Sequence, residues 1–250
     1  MVSVSQRISK VKQPRGGYIK PKEFVVTHLQ DDFDLYENEN IHSPLIGLAV
    51  DYLTRFINGA TLQEAFEISM LGASRIRKDA LANELLSNIK GTDDNSIINA
   101  CKLVGFDVVF RSGAMGYKQV ELINPDLETI SNIRVMVKRS LSFFDAYGPI
   151  VKDGFNFEGG YTKVISKGDG DFLTKDTLWD FKVSKSKPKN KHTLQLFIYY
   201  LLGMHSVHPE FEEIKNLGVF NPRLNTVYLL PVDSIPDEVI EEVETTVIGY

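Results

Sequence analysis

The sequence predicts an α/β protein, a mixed sheet flanked by helices with a helical insertion. Three observations carry this. From about residue 43 to 147 apolar residues recur every three or four positions, the period of helices packed on one face. From 155 to 184 the pattern changes to the short β-rich runs FNFEGGYTKVIS, GDFLT and TLWDFKVS, separated by Lys-Gly and Lys-Asp turn signals. A helix apolar nearly all round, Thr193 to Met204, then precedes a final strand pair, so it is expected to be buried against sheet.

Taken in order, residues 1–40 read as a mostly irregular basic arm with one extended piece, Glu23 to His28. Residues 41–250 read as a single domain, with the insertion at about 60–147 and the core at about 148–235. Ser43 is a good N-cap and Pro44 suits the first helical position, opening PLIGLAVDYLTRFING, which Gly59 ends. Thr61 caps LQEAFEISMLGA, with Glu64 placed to close a capping box. KDALANELLSNI and DDNSIINACKLVGF follow as helices; Phe106 to Arg111 fits a short strand or a helix end; Leu127 to Tyr147 fits a long helix. Beyond the β-rich runs and the buried helix, Leu217–Phe220 and Asn225–Leu230 form the last strand pair about a turn at Asn221-Pro-Arg-Leu, and Pro236 opens a short helix.

Composition bounds the function. A hydrophobic fraction of 43% with 24% charged residues is that of an ordinary globular protein. No apolar run approaches the roughly 20 residues of a membrane span, and the start, MVSVSQRISK, lacks the apolar stretch of a signal peptide, so a cytoplasmic protein is expected. A single cysteine, Cys101, excludes an internal disulfide, a cysteine zinc site and a four-thiolate iron–sulfur cluster. The net charge of -5 excludes a surface basic all over, but the distribution is uneven. Residues 1–22 hold six cations and no acid, and residues 182–191, KVSKSKPKNK, hold five lysines. Most basic runs are solvated loops; the second is the better nucleic-acid candidate, through Lys185, Lys187, Lys189 and Lys191, because it directly follows a chemically loaded segment.

That segment places Asp171 nine residues before Asp180, with Lys182 two residues further on. Hydrolysis of a phosphodiester needs a nucleophilic water and relief of charge on the phosphate and leaving oxygen, which a hard cation such as Mg2+ or Mn2+ held by carboxylates can supply. On adjacent antiparallel strands Asp171 and Asp180 can point the same way, and the period of two puts Lys182 on the face of Asp180 with Phe181 opposite. Lys182 can then orient or deprotonate the water, or stabilise negative charge, and Glu158 on the first strand is a candidate further ligand. An acid-x-Lys match alone is weak, since roughly two or three arise by chance in such a composition; Glu213-Ile-Lys215 is a second and lacks the β-rich context. Gln195 and Tyr199 share one face of the apolar helix at i and i+4, where polar groups need partners or a cavity.

Together, residues 158–203 resemble the PD-(D/E)xK nuclease superfamily, in particular its RecB-like exonuclease branch: a Gly-x-x-Asp turn (Gly168 to Asp171), an acid-x-Lys strand (Asp180 to Lys182) and a Gln-x-x-x-Tyr helix (Gln195 to Tyr199). The three motifs cover about a fifth of the chain and specify superfamily rather than substrate. The resemblance implies a restriction-endonuclease-like core and a Mg2+- or Mn2+-dependent nuclease, usually acting on DNA, with Gln195 and Tyr199 near the nucleic-acid strand or the active lysine. In the branch a histidine or glutamate often follows Gly-x-x-x in the first core helix; here Gly47-Leu-Ala-Val-Asp51 puts Asp51 there, a less usual metal ligand. The cysteines of its iron–sulfur members are missing. A different class remains open at this point: the same fold without catalysis, binding nucleic acid or protein in a larger complex. His205-Ser-Val-His208 has metal-like spacing without an evident third ligand, and neither a P-loop nor a nucleophile elbow occurs.

Overall fold

The computed structural model describes residues 2–250 and divides into two compact units, residues 1–29 with 144–250, and residues 30–143. The N-terminal stretch, expected as a mostly irregular arm, is largely built into the first unit. Strand β1 (Val2–Ser3) runs into helix α1 (Val4–Ile8), whose start is closed by a capping box between Ser3 and Gln6. After an irregular basic stretch comes β2 (Val25–His28).

The second unit is helical: α2 (Ser43–Ile57), α3 (Leu62–Ala65), α4 (Glu67–Arg75), α5 (Asp79–Ser87), α6 (Asp94–Leu103), α7 (Asp107–Ser112) and α8 (Leu127–Tyr147), the last continuing past the unit boundary. Thr61 and Glu64 form the expected capping box, but the helix it opens breaks at Phe66, where φ is -108°, into α3 and α4. Residues 107–112 are helix, not strand. At the centre of this unit Asp107 is buried and accepts from the Tyr52 hydroxyl at 2.6 Å and the Ser69 hydroxyl at 2.5 Å, so its carboxylate is solvated by protein. The acidic segment 31–40 is held to α8, with Arg139 on Asp31 and the Asn132 side chain bridging the backbone of Tyr36.

The rest of the first unit follows as β3 (Lys152–Phe155), β4 (Ile165–Lys167), β5 (Gly170–Leu173), β6 (Thr177–Phe181), α9 (Asn190–Met204), β7 (Asn216–Asn221), β8 (Thr226–Pro231) and α10 (Asp237–Glu242), which continues into a π-helical turn, Val243–Ile248. Six strands form a mixed sheet in the order β2-β8-β7-β6-β5-β3, antiparallel except for β6 with β7. A parallel pair needs a crossover, and α9 is that crossover. The stretch 155–166, read as one strand, is divided: a turn at 158–160 separates β3 from β4, and β4 pairs instead with β1 as a small parallel sheet. Two glycines in that stretch, Gly159 with φ +87° and Gly160 backed against Leu202, explain why it bends.

Alternation sorts the sheet into two faces. Leu173, Leu178, Leu217, Val219, Tyr228 and Leu230 share a buried core with Leu194, Phe197, Ile198 and Leu201 of α9. Each such side chain contributes about 1.5–3 kcal/mol by leaving water. Phe172 and Trp179 occupy the opposite face, stacked at 6.3 Å between ring centroids, with Phe144 and Tyr147 from the end of α8 packed edge-on against them. Trp179 fits because its parallel neighbour is Gly218, where any Cβ would collide with the indole. Among the described residues no helix is long and apolar enough to cross a membrane.

Candidate functional site

The site forms where β6 ends and its crossover helix begins, the position at which open α/β sheets bind ligands. Asp171 and Asp180 each stand one residue beyond the pair Phe172↔Trp179, and alternation puts both carboxylates on the α9 face, where both act on Lys182 and Tyr199. The period of two places Lys182 on that face as well. The sequence motif therefore becomes one cluster.

The two acids are held differently. Asp171 Oδ2 accepts from the backbone N–H of Phe181 at 2.7 Å, which ties β5 to the last residue of β6. Asp180 is 2% exposed; its Oδ1 accepts from Lys182 Nζ at 2.8 Å, while its Oδ2 is buried with no hydrogen-bond partner. A buried carboxylate oxygen without a donor is costly, on the order of 1–3 kcal/mol or more for a charged group. Burial pulls the Lys182 ammonium down, but Asp180 and then Asp171 outweigh it and hold the lysine above its ordinary value, protonated at neutral pH.

Helix α9 brings the second motif. Gln195 Nε2 donates to the Tyr199 hydroxyl at 2.8 Å, the i,i+4 pair expected on one face. Tyr199 is buried, its ring 5.0 Å from that of Phe157, and burial, with Asp180 and Asp171 nearby, raises its phenol above the usual range, so it stays a neutral hydroxyl. Gly168, at the start of the predicted turn, lies against the Tyr199 ring, and its carbonyl accepts from Tyr161 at 2.9 Å.

One residue escaped the sequence reading. His192 lies three residues before Gln195 and seven before Tyr199, on the same face of α9. It is half-buried, and burial followed by the Lys182 charge lowers it below its ordinary value, partly opposed by Asp180. Its spacing was a usable signal: a third polar residue in register with Gln195 and Tyr199 on an otherwise apolar helix.

The lysine loop, residues 182–189, is irregular and pinned at both ends. Near its start Asn221 Nδ2 donates to Ser184 O at 2.8 Å, and at its end Lys189 N–H donates to His192 Nδ1 at 3.2 Å. Lys185, Lys187, Lys189 and Lys191 are all exposed. The basic N-terminal stretch meets the same place. Thr193 Oγ1 donates to Ile19 O at 2.6 Å, and Gly17, with φ +95°, sits 3.0 Å (measured from a built Cβ position) from the Asn190 side chain. No acid precedes Glu23 and none lies between Asp180 and Glu210, so two acid-free runs converge on the start of α9. Arg7 is not part of this: it is bonded to the carbonyls of Thr246 and Val247.

Glu158 lies elsewhere in the first unit, and Asp51 belongs to the second. Glu158 is not on a strand; it is exposed in the turn after β3, where its carbonyl accepts from Val207 N–H, beyond the far end of α9. Asp51 is half-buried on α2 in the helical unit, and the fully buried stripe of that helix is Ile46, Ala49, Val50 and Leu53, so Asp51 flanks the packed face instead of lying on it. Among the described residues no three His, Cys, Asp or Glu side chains form a group that could hold a metal ion. His205 and His208 have separate partners, Glu244 and the Asn156 carbonyl.

Comparison with protein-family models, with curated proteins and with solved structures found no match to this chain.

Proposed function

We propose that this chain is a divalent-metal-dependent nuclease of PD-(D/E)xK type, of the RecB-like branch without an iron–sulfur cluster, that hydrolyses phosphodiester bonds in nucleic acid, DNA ahead of RNA. The mixed sheet with one parallel crossover is compatible with a restriction-endonuclease-like core. The observation that carries the reading is Asp180: a buried carboxylate with one oxygen on Lys182 and the other without a donor among the described residues, with Asp171 on the neighbouring strand. Two carboxylates and one lysine leave the cluster one negative charge in excess, with Asp180 buried and Asp171 and Lys182 partly open to solvent. That donor set suits Mg2+ or Mn2+, which takes one or two carboxylates and completes its shell with water and substrate phosphate. Such an ion would polarise the scissile phosphate and lower the pKa of a bound water.

The chain's own residues supply the rest. Lys182, 2.8 Å from Asp180, orients or deprotonates the attacking water or stabilises negative charge on the phosphate. Gln195 fixes the Tyr199 hydroxyl, so that a neutral donor faces the cluster. The exposed lysines between β6 and α9 hold the phosphate backbone outside the site. This reading uses Asp171 and Asp180 as the ligands and takes neither Glu158 nor Asp51. The experiment is incubation with single- and double-stranded DNA and RNA in Mg2+, Mn2+ or EDTA. Metal-dependent cleavage abolished by EDTA supports the reading; binding without cleavage in every condition replaces it with a non-catalytic binding module.

A further inference from the structure

His192 adds something to this site that the three motifs do not contain, and the inference rests on the nuclease reading above. Its ring is oriented by the backbone: Nδ1 accepts the N–H of Lys189 at 3.2 Å, while the His192 N–H donates to the Lys189 carbonyl at 2.7 Å at the start of α9. A nitrogen that accepts cannot carry the ring proton, so the proton is on Nε2. Nε2 has no hydrogen-bond partner among the described residues and projects from the helix face that carries Gln195 and Tyr199. The ring is also near enough to Asp180 and Lys182 to sense both charges. A fixed N–H donor, half-buried and unspent, thus stands beside the acid–lysine cluster at the point where the lysine loop enters α9.

We infer that His192 is a substrate-positioning residue of this nuclease, donating from Nε2 to a non-bridging oxygen of a phosphate in the bound strand. The oriented donor is available before substrate arrives, so it needs no reorganisation when charge develops on that oxygen. The lysines around it are flexible point charges that attract a strand without fixing its register; the imidazole fixes it.

Two amide side chains separate this role from the capping role. Asparagine places a polar atom where Nδ1 lies and can keep the bond from Lys189 N–H, but has nothing at Nε2. Glutamine reaches the Nε2 position with a donor and gives up the cap. With Mg2+ and a DNA oligonucleotide that the wild-type protein cleaves, His192→Asn should keep the wild-type melting temperature and lose about 10- to 100-fold in kcat/KM. His192→Gln should recover most of that loss relative to His192→Ala, even where its melting temperature falls. If His192→Asn cleaves like wild type, or His192→Gln is as slow as His192→Ala at equal folded fraction, the inference is overturned while the nuclease reading stands. Failure of the wild-type protein to cleave any DNA or RNA with either metal overturns both.

Discussion

Asp171 and Asp180 lie on the adjacent strands β5 and β6, yet one carboxylate is bonded to a backbone N–H and the other to Lys182, with an oxygen that has no partner among the described residues. The difference makes Asn substitution at both sites a clean test of charge. In Asp171→Asn the amide oxygen can still accept from Phe181 N–H, and in Asp180→Asn it can still accept from Lys182. Both variants should therefore fold, lose cleavage by about 10²- to 10³-fold or more, and lose the rise in melting temperature that Mg2+ or Mn2+ gives the wild-type protein. Calorimetric titration with Mn2+ checks the second part directly. A variant that keeps both activity and metal response removes that acid from the site.

Lys182 is a less innocent target than its motif suggests. Asp180 is 2% exposed and, among the described residues, Lys182 supplies the one hydrogen bond found for its carboxylate, so Lys182→Met should cost roughly 3 kcal/mol of stability as well as activity, by leaving a buried charge alone. Asp180→Asn combined with Lys182→Met removes the pair together and should regain most of that stability while remaining inactive. Urea unfolding in EDTA measures both. Equal stability of wild type and Lys182→Met would mean that Asp180 is solvated in another way.

Much of this arrangement was legible in the residues. The bounds of α8, the apolar character of α9 and the strands β5 to β8 follow from periodicity and turn chemistry, because packing and local preference agree there. Glu158 was misread because a β-rich composition does not reveal a bend; Gly159 and Gly160 were the local warning. The start of the chain was read as irregular although Ser3 and Gln6 spell a capping box, since five residues of helix carry no visible period. In the site, the approach of Lys182 to Asp180 was readable because β6 sets the direction of Asp180 and Lys182 follows its last residue. The unpartnered Asp180 oxygen depends on tertiary packing that no local pattern encodes, whereas His192 is oriented by Lys189 three residues earlier, a local bond left unread at the start of an apolar helix.

Asp31 gives a pH dependence with a definite sign. The hydrogen bond from Arg139, with the Phe33 N–H and the Arg139 and Lys138 charges adding to it against a smaller effect of burial, lowers its carboxyl below the ordinary value. A carboxyl with a depressed folded pKa stabilises the fold fully above its unfolded pKa, and that contribution is lost as pH falls through the folded one. The wild-type melting temperature should thus drop as pH falls below about 4, the ordinary carboxyl value, and Asp31→Asn should lower stability at neutral pH while flattening that acid limb. An unchanged acid limb in the variant would assign the loss to other carboxyls.

Glu158 and Asp51 test the ligand set by contrast. With Glu158 in an exposed turn and Asp51 beside the packed stripe of α2, Glu158→Gln and Asp51→Asn should each leave the Mn2+-induced rise in melting temperature intact. Cleavage should stay within about twofold of wild type, because the proposed reading assigns the metal to Asp171 and Asp180 alone. Loss of the metal response in either variant would enlarge the site beyond Asp171 and Asp180.

The lysine loop separates binding from chemistry. Lys185, Lys187, Lys189 and Lys191 are exposed and flank a loop that is anchored at Ser184 and at His192, so replacing all four with Gln removes charge without loosening those anchors. Each phosphate contact releases counterions, so the slope of log affinity against log salt should shrink by about 0.7 per contact on single strands and about 0.9 on duplex. Single-turnover cleavage at saturating protein should change little, because none of the four is assigned to the reacting phosphate. The N-terminal run meets α9 at Gly17 and Ile19, so adding Lys12→Gln and Arg15→Gln should shrink the slope further. Equal slopes for the wild type and the four-lysine variant would show that the loop does not touch phosphate.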